Sequence, residues 1–242
     1  MTHPLAATLA VAIVSFYLID SAMLLYANEL LLIQTRGTWT FAIPRFEVLG
    51  RRAYMPNPLL PDAVSWRICW SPTHFVERPD RPRALEPYFQ ALLPMRYLSV
   101  GLLTLLIVAA PMALLIAGPR NEVLWLFAAI YCLIMGMLVQ LYRKRAVLGV
   151  SSKAFLKLAF DSLICSPLAV NLVRKVTLTR QIPGDPIAYS RELFDEATFR
   201  QLVEAVCRQV DEQSSLEDEE TPQHESLIDY RTYLERLIAA DE

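Results

Sequence analysis

Asp20, Asn28 and Glu29 are the strongly polar side chains within the first long apolar run of this sequence, residues 5–33. A carboxylate inside hydrocarbon costs several kcal/mol unless it is paired, hydrated or protonated. Burial raises a carboxyl pKa and lets the group switch its charge, which is the chemistry of a proton or cation site. The structural alternative is a buried hydrogen bond or ion pair to a neighbouring helix or a second chain. On a helix Asp20 and Asn28 share one face and line a polar seam. Two further apolar runs, 95–118 and 123–142, hold no Lys or Arg at comparable depth. The expected partner of Asp20 is therefore Ser99, Thr104, Tyr131, water or a separate protein. Glu29, close to the inner end of the run, is expected to reach the interface or to pair with Arg96.

Patterns for catalysis are sparse. The chain contains no GxSxG elbow, Walker-type phosphate loop, GxGxxG turn or HExxH zinc pattern. Its cysteines (Cys69, Cys132, Cys165, Cys207) and histidines (His3, His74, His224) are scattered, so neither a disulfide framework nor a metal or other cofactor is expected. Nothing assigns a reaction, and the balance is against an enzyme. A membrane-interface enzyme acting on lipid-linked substrates would require Glu29, Arg51, Arg52 and Asp161 to converge on a polar cavity. The run 165–175 (CSPLAVNLVRK) looks specific, with no mechanism attached to it.

The elements that must position these residues follow from length and periodicity. Each of the three runs is long enough to cross a bilayer, since about 20 residues rising 1.5 Å each span a ~30 Å hydrocarbon core. Three transmembrane helices are expected, over 5–33, 95–118 and 123–142, with Pro111 kinking the second. The first run has no basic residues before it and is too long for a cleaved signal, so a retained helix is expected. Residues 1–180 carry 18 Lys+Arg against 9 Asp+Glu, whereas 181–242 carry 5 against 16. Cationic loops mark the cytoplasmic side. Segment 34–94 is rich in Arg, the link 119–122 holds a single Arg120, and Arg143-Lys144-Arg145 follows the third run. The N-terminus is thus expected outside and the C-terminus in the cytoplasm. The Arg-, Ala- and Leu-rich composition points to a bacterial inner membrane.

Segment 34–94 reads as a cytoplasmic module of three or four short strands, at 38–43, 46–49, 52–55 and 64–70, with Trp39, Trp66 and Trp70 as an aromatic cluster. Its prolines at 72, 79, 82, 87 and 94 suggest an irregular connection before the second run. Residues 151–176 place Lys153, Lys157 and Asp161 on one face of a helix with a broad apolar opposite side. That pattern fits an in-plane interfacial amphipathic helix, with a re-entrant or fourth crossing helix as the alternative. The acidic tail, 190–242, reads as soluble helices, with Asp195 as an N-cap. Leu227, Tyr230, Leu234 and Ile238 fall on one side of its last helix, as a docking face for a partner or for its neighbour.

These features describe a mainly α membrane protein with three transmembrane helices, an in-plane amphipathic helix, a small cytoplasmic β module and C-terminal soluble helices. The expected role is a non-catalytic integral membrane subunit that anchors or scaffolds a multi-protein complex through cytoplasmic docking surfaces. Its partners would be other membrane or cytoplasmic subunits and anionic lipids. Headgroup contacts are assigned to Arg51, Arg52, Arg81, Arg83, Arg143, Lys144, Arg145, Arg174 and Lys175. Nucleic acid is not expected, because the basic residues abut apolar runs. The rival role is an ion- or proton-conducting component using Asp20.

Overall fold

The computed structural model describes residues 3–35, 37–43, 46–48, 50–72, 86–116, 121–179, 186–218 and 220–239. The chain is mainly helical with a small β module of two three-stranded sheets. It divides into two compact units, the first comprising Met1–Met23, Met55–Val64 and Leu85–Arg180, the second Leu24–Tyr54, Ser65–Ala84 and Gln181–Glu242.

Unit 1 is helical. Helix α1 (His3–Ser21) is followed, after the chain returns from unit 2, by α2 (Glu86–Leu103), a π-helical segment (Thr104–Ala109) and α3 (Ala110–Ile116). Within this continuous rod the Ala110 N–H reaches back to the Leu105 carbonyl, and Pro111 comes next. Proline cannot donate to the carbonyl four residues earlier, and a wider turn is one way for a helix to absorb that loss. The helix starts earlier than the proline content suggested. Pro87 lies in its first turn, where an N–H has no helical partner, and Pro94 is accommodated inside it.

Helix α4 (Asn121–Leu148) packs antiparallel to α2, with Gly101 facing Leu133 and Gly136 facing Leu98. Two stretches, Glu86–Ala113 and Val123–Leu148, are long and apolar enough to cross a membrane. Their most apolar windows are only 33% and 28% buried within the chain.

The α4 helix ends at Gly149, whose φ of 68° suits a residue without a Cβ. Ser151 then caps α5 (Ser152–Ile164) by accepting a hydrogen bond from the Ala154 N–H. This tight reversal sends α5 back along α4. Arg145 donates to Ser152 at 3.0 Å, the rings of Tyr142 and Phe155 lie 5.5 Å apart, and the Tyr131 hydroxyl donates to the Leu163 carbonyl at 3.4 Å. Residues 151–176 are therefore not a single helix. They fold as α5 running beside α4, then α6 (Ser166–Val170) and α7 (Leu172–Leu178), which returns until the Tyr88 hydroxyl donates to the Val176 carbonyl. The reason is local: Pro167 and the irregular backbone at Cys165 and Asn171 break the helix, while the cap at Ser151 fixes its direction.

Unit 2 begins where the first apolar run stops being a helix. The expected helix over 5–33 ends at Ser21, and the rest of the run forms β1 (Met23–Leu25) and most of β2 (Glu29–Thr35) around a turn in which the Glu29 N–H donates to the Tyr26 carbonyl. Strand β2 is central, between β3 (Thr38–Ala42) and β6 (Val64–Cys69), with Leu30, Leu31 and Leu32 fully buried. A strand covered on both faces is continuously apolar and mimics a membrane helix in sequence. The second sheet orders β1, β5 (Arg51–Tyr54) and β4 (Phe46–Val48), and the β4–β5 hairpin turns at Gly50, which has a φ of 71°.

The four strands expected from the sequence are present, and β1 and β2 complete the sheets. Helices α8 (Pro186–Arg191), α9 (Glu196–Ser214) and α10 (Pro222–Ala239) finish the unit. Asp195 caps α9 by accepting from the Thr198 N–H at 2.9 Å, and hydrogen bonds from the Thr198 side chain and then from its backbone hold the carboxyl below the usual range.

Candidate functional site

Asp20 has a partner within its own unit. It sits one residue before the end of α1, and its Oδ1 lies 2.8 Å from the Lys175 ammonium on α7. Its other oxygen accepts a hydrogen bond from the Asn171 amide at 3.0 Å. The same amide donates to the Ser21 hydroxyl at 3.0 Å, and the Asn171 carbonyl oxygen accepts from Arg174 at 3.1 Å. Arg174, only 2% exposed, also donates to the Leu60 carbonyl. The Tyr17 hydroxyl, one turn earlier on α1, donates to the Pro58 carbonyl.

This cluster bears on three expectations. Asp20 is ion-paired and hydrogen-bonded to a neighbouring helix, the structural alternative, but its partners are Lys175 and Asn171 and not Ser99, Thr104 or Tyr131, because α1 ends beside it and α7 supplies a cation. Lys175, assigned to headgroups, is ion-paired with Asp20. Arg174 is buried, since its guanidinium has carbonyl acceptors inside the unit. Chemically the arrangement is a clamp: two cations, one carboxylate and an amide that donates and accepts fasten the end of α1 to α7. Its signal in the sequence was the 165–175 run, whose Asn171, Arg174 and Lys175 converge only once α6 and α7 fold back.

Unit 2 gathers a second polar group around Glu29, which is buried. One carboxylate oxygen accepts the Tyr26 backbone N–H at 2.9 Å, and the other lies 3.6 Å from Arg67 and 3.7 Å from the Cys69 sulfur. Burial and the Glu29 charge push the Cys69 thiol pKa up, away from nucleophilic character. Arg51 donates to the Tyr26 hydroxyl at 3.0 Å with its guanidinium 4.7 Å above that ring, and Arg52 pairs with Glu212 of α9. Glu29 thus pairs with Arg67, while Arg96 pairs with Asp62 at 3.4 Å in unit 1. Asn28 is spent on the sheet edge, donating to the Trp70 carbonyl at 3.4 Å. Glu29 and Arg51 meet through Tyr26, whereas Asp161 belongs to α5 of the other unit.

The expected aromatic cluster divides. Trp39 stacks on Trp66 at 5.2 Å, whereas Trp70 stacks on Tyr230 of α10 at 5.8 Å and donates its indole N–H to Gln209 of α9 at 2.8 Å. Leu227, Tyr230 and Leu234 are consequently buried inside unit 2 and offer no open face, while Ile238 is half-buried. Between α8, α9 and α10 lies a cavity of about 200 Å³ lined by Ile187, Arg191, Glu192, Phe199, Tyr233 and Leu237. It is smaller than the roughly 300–1,000 Å³ of small-molecule sites. Among the described residues no group of His, Cys, Asp and Glu converges in a way that could hold a metal ion. Arg143 and Lys144 are exposed and Arg145 is half-buried, while Arg81 and Arg83 lie outside the described residues. Compared with protein-family models, curated proteins and solved structures, the chain finds no match.

Proposed function

We propose that this protein is a non-catalytic membrane subunit, with unit 1 as its anchor in the bilayer and unit 2 as a folded module that engages other proteins of one assembly. One observation carries the reading. The stretches Glu86–Ala113 and Val123–Leu148 are apolar along their length, yet only 33% and 28% of their most apolar windows are buried by the chain. A core helix of a water-soluble protein would be mostly buried. Here Tyr97, Val100, Val108, Met112, Leu124, Trp125, Met135 and Val139 are exposed, and apolar side chains left uncovered on long helices mark a contact with lipid or protein. Lipid is the solvent that such a surface fits.

The cationic residues flanking the two helices favour a cytoplasmic side at the start of α2 and the end of α4, with a short outer link between them. Conduction through Asp20 has no supporting observation, because the residue is ion-paired at a helix end. The subunit role is tested by purifying the full chain from membranes in mild detergent and measuring the protein mass of the particle. A mass above that of one chain, with defined co-purifying subunits, is expected. A monodisperse monomer would contradict the subunit role while leaving the anchor in place.

A further inference from the structure

The elbow between α4 and α5 is flanked by five cations: Arg143, Lys144 and Arg145 near the end of one helix, Lys153 and Lys157 in the first half of the next. The hydrogen bond from Arg145 to Ser152 and the contact of Tyr142 with Phe155 hold the two helix ends side by side. Arg143, Lys144, Lys153 and Lys157 are exposed, and no carboxylate of the described residues lies within ion-pair distance of them. Unlike Arg174 and Lys175, these four side chains have no ion-pair partner among the described residues.

Below the cations, toward the middle of α4, the same helices turn apolar. Leu156, Phe160 and Ile164 of α5 are 65%, 65% and 66% exposed, and Val139 and Tyr142 of α4 are also uncovered. The α5 helix interleaves its lysines with this surface, so each cationic head lies within a turn of an apolar side chain. A ligand matching both features carries an anionic head and a hydrocarbon tail. A soluble phosphate would match the cations only, and a nucleic acid would leave the apolar strip wet.

We infer that the α4–α5 elbow is a docking site for anionic phospholipid, with the headgroup phosphate among Arg143, Lys144, Lys153 and Lys157 and an acyl chain along Leu156, Phe160 and Ile164. The inference rests on the membrane reading above. Arg145 positions the elbow through Ser152, and the other four cations bind. Each cation near an anionic surface contributes about a fivefold gain in affinity when fully engaged.

The test uses the full chain in proteoliposomes containing spin-labelled phosphatidylglycerol or phosphatidylcholine, with the motionally restricted fraction giving the relative association constant. The wild type should prefer phosphatidylglycerol. Arg143→Gln, Lys144→Gln, Lys153→Gln and Lys157→Gln together should lower that preference by about fivefold or more. The charge-keeping set Arg143→Lys, Lys144→Arg, Lys153→Arg and Lys157→Arg should retain it, as should excess inorganic phosphate. Equal association of both lipids with the wild type, an undiminished preference in the glutamine set, loss of the preference in the charge-keeping set, or displacement by inorganic phosphate would each overturn the site. If alkaline carbonate strips the protein from the vesicles, the membrane reading fails and the site with it. Retention without lipid preference refutes the site alone.

Discussion

Replacing Asp20 with Asn probes the clamp that ends α1. The Asp20–Lys175 separation of 2.8 Å corresponds to a gross attraction of about 6 kcal/mol at an effective dielectric constant of about 20. Desolvation and side-chain ordering cancel most of that attraction, and both side chains retain some exposure, 24% for Lys175 and 16% for Asp20. The net loss on Asp20→Asn should therefore be about 2 kcal/mol, within the range for a hydrogen bond to a charged group. For a chain of this size that loss lowers the apparent Tm by about 4–8 °C.

Lys175→Gln should cost a similar amount, and the double variant should recover part of the loss, giving a coupling energy of about 1–2 kcal/mol in a double-mutant cycle. The assay is thermal unfolding of the full chain in one detergent at fixed ionic strength. Strictly additive single losses would refute the clamp, because they would mean that Asp20 and Lys175 act independently.

Three further outcomes follow from the geometry. Trp70→Ala should destabilise unit 2 by about 3–5 kcal/mol, because it opens a cavity beside Tyr230 and strands Gln209; Trp70→Phe should cost less, as followed by tryptophan fluorescence in urea. Gly149→Ala meets no atom within 4 Å, so its cost of about 1–2 kcal/mol comes only from holding a φ of 68°, and Gly149→Asn should cost less in the same thermal assay. Burial raises the Cys207 thiol pKa to about 11, so iodoacetamide at pH 8 should alkylate it about a hundredfold more slowly than an ordinary thiol. The folded state holds this proton more tightly than the unfolded state. Its stabilising contribution is therefore complete below the ordinary thiol pKa and is lost as the pH rises toward 11, which pH-dependent unfolding of the full chain would register.

The sequence conveyed local structure better than it conveyed partners. The short segments at 38–43, 46–49, 52–55 and 64–70 marked β3 to β6, and Asp195 marked the start of α9. Each signal depends on neighbours within a few residues. The limit of the first helix was hidden because Leu30, Leu31 and Leu32 are buried on both faces of a central strand, which removes the alternation that would betray it. The course of α5 was hidden for another reason. Lys153, Lys157 and Asp161 recur every fourth residue whether the helix lies in a membrane plane or beside α4, and the deciding contacts with Tyr142 and Tyr131 are long-range. The pairing of Asp20 with Lys175 joins residues far apart along the chain, and no periodicity carries it. The α10 face of Leu227, Tyr230 and Leu234 was visible as a stripe, but its cover, Trp70, emerges only when β6 and α9 assemble.

The central claim is that the outward apolar face of unit 1 meets lipid, and Trp125 reports on it most directly, being 78% exposed on α4. The measurement compares the fluorescence of the wild type and of Trp125→Phe in proteoliposomes of ordinary and dibrominated phosphatidylcholine. The difference between the two proteins isolates Trp125. The account predicts that this component is strongly quenched by the brominated acyl chains and shielded from aqueous iodide. A component indifferent to bromine and quenched by iodide would place Trp125 in water and contradict the account.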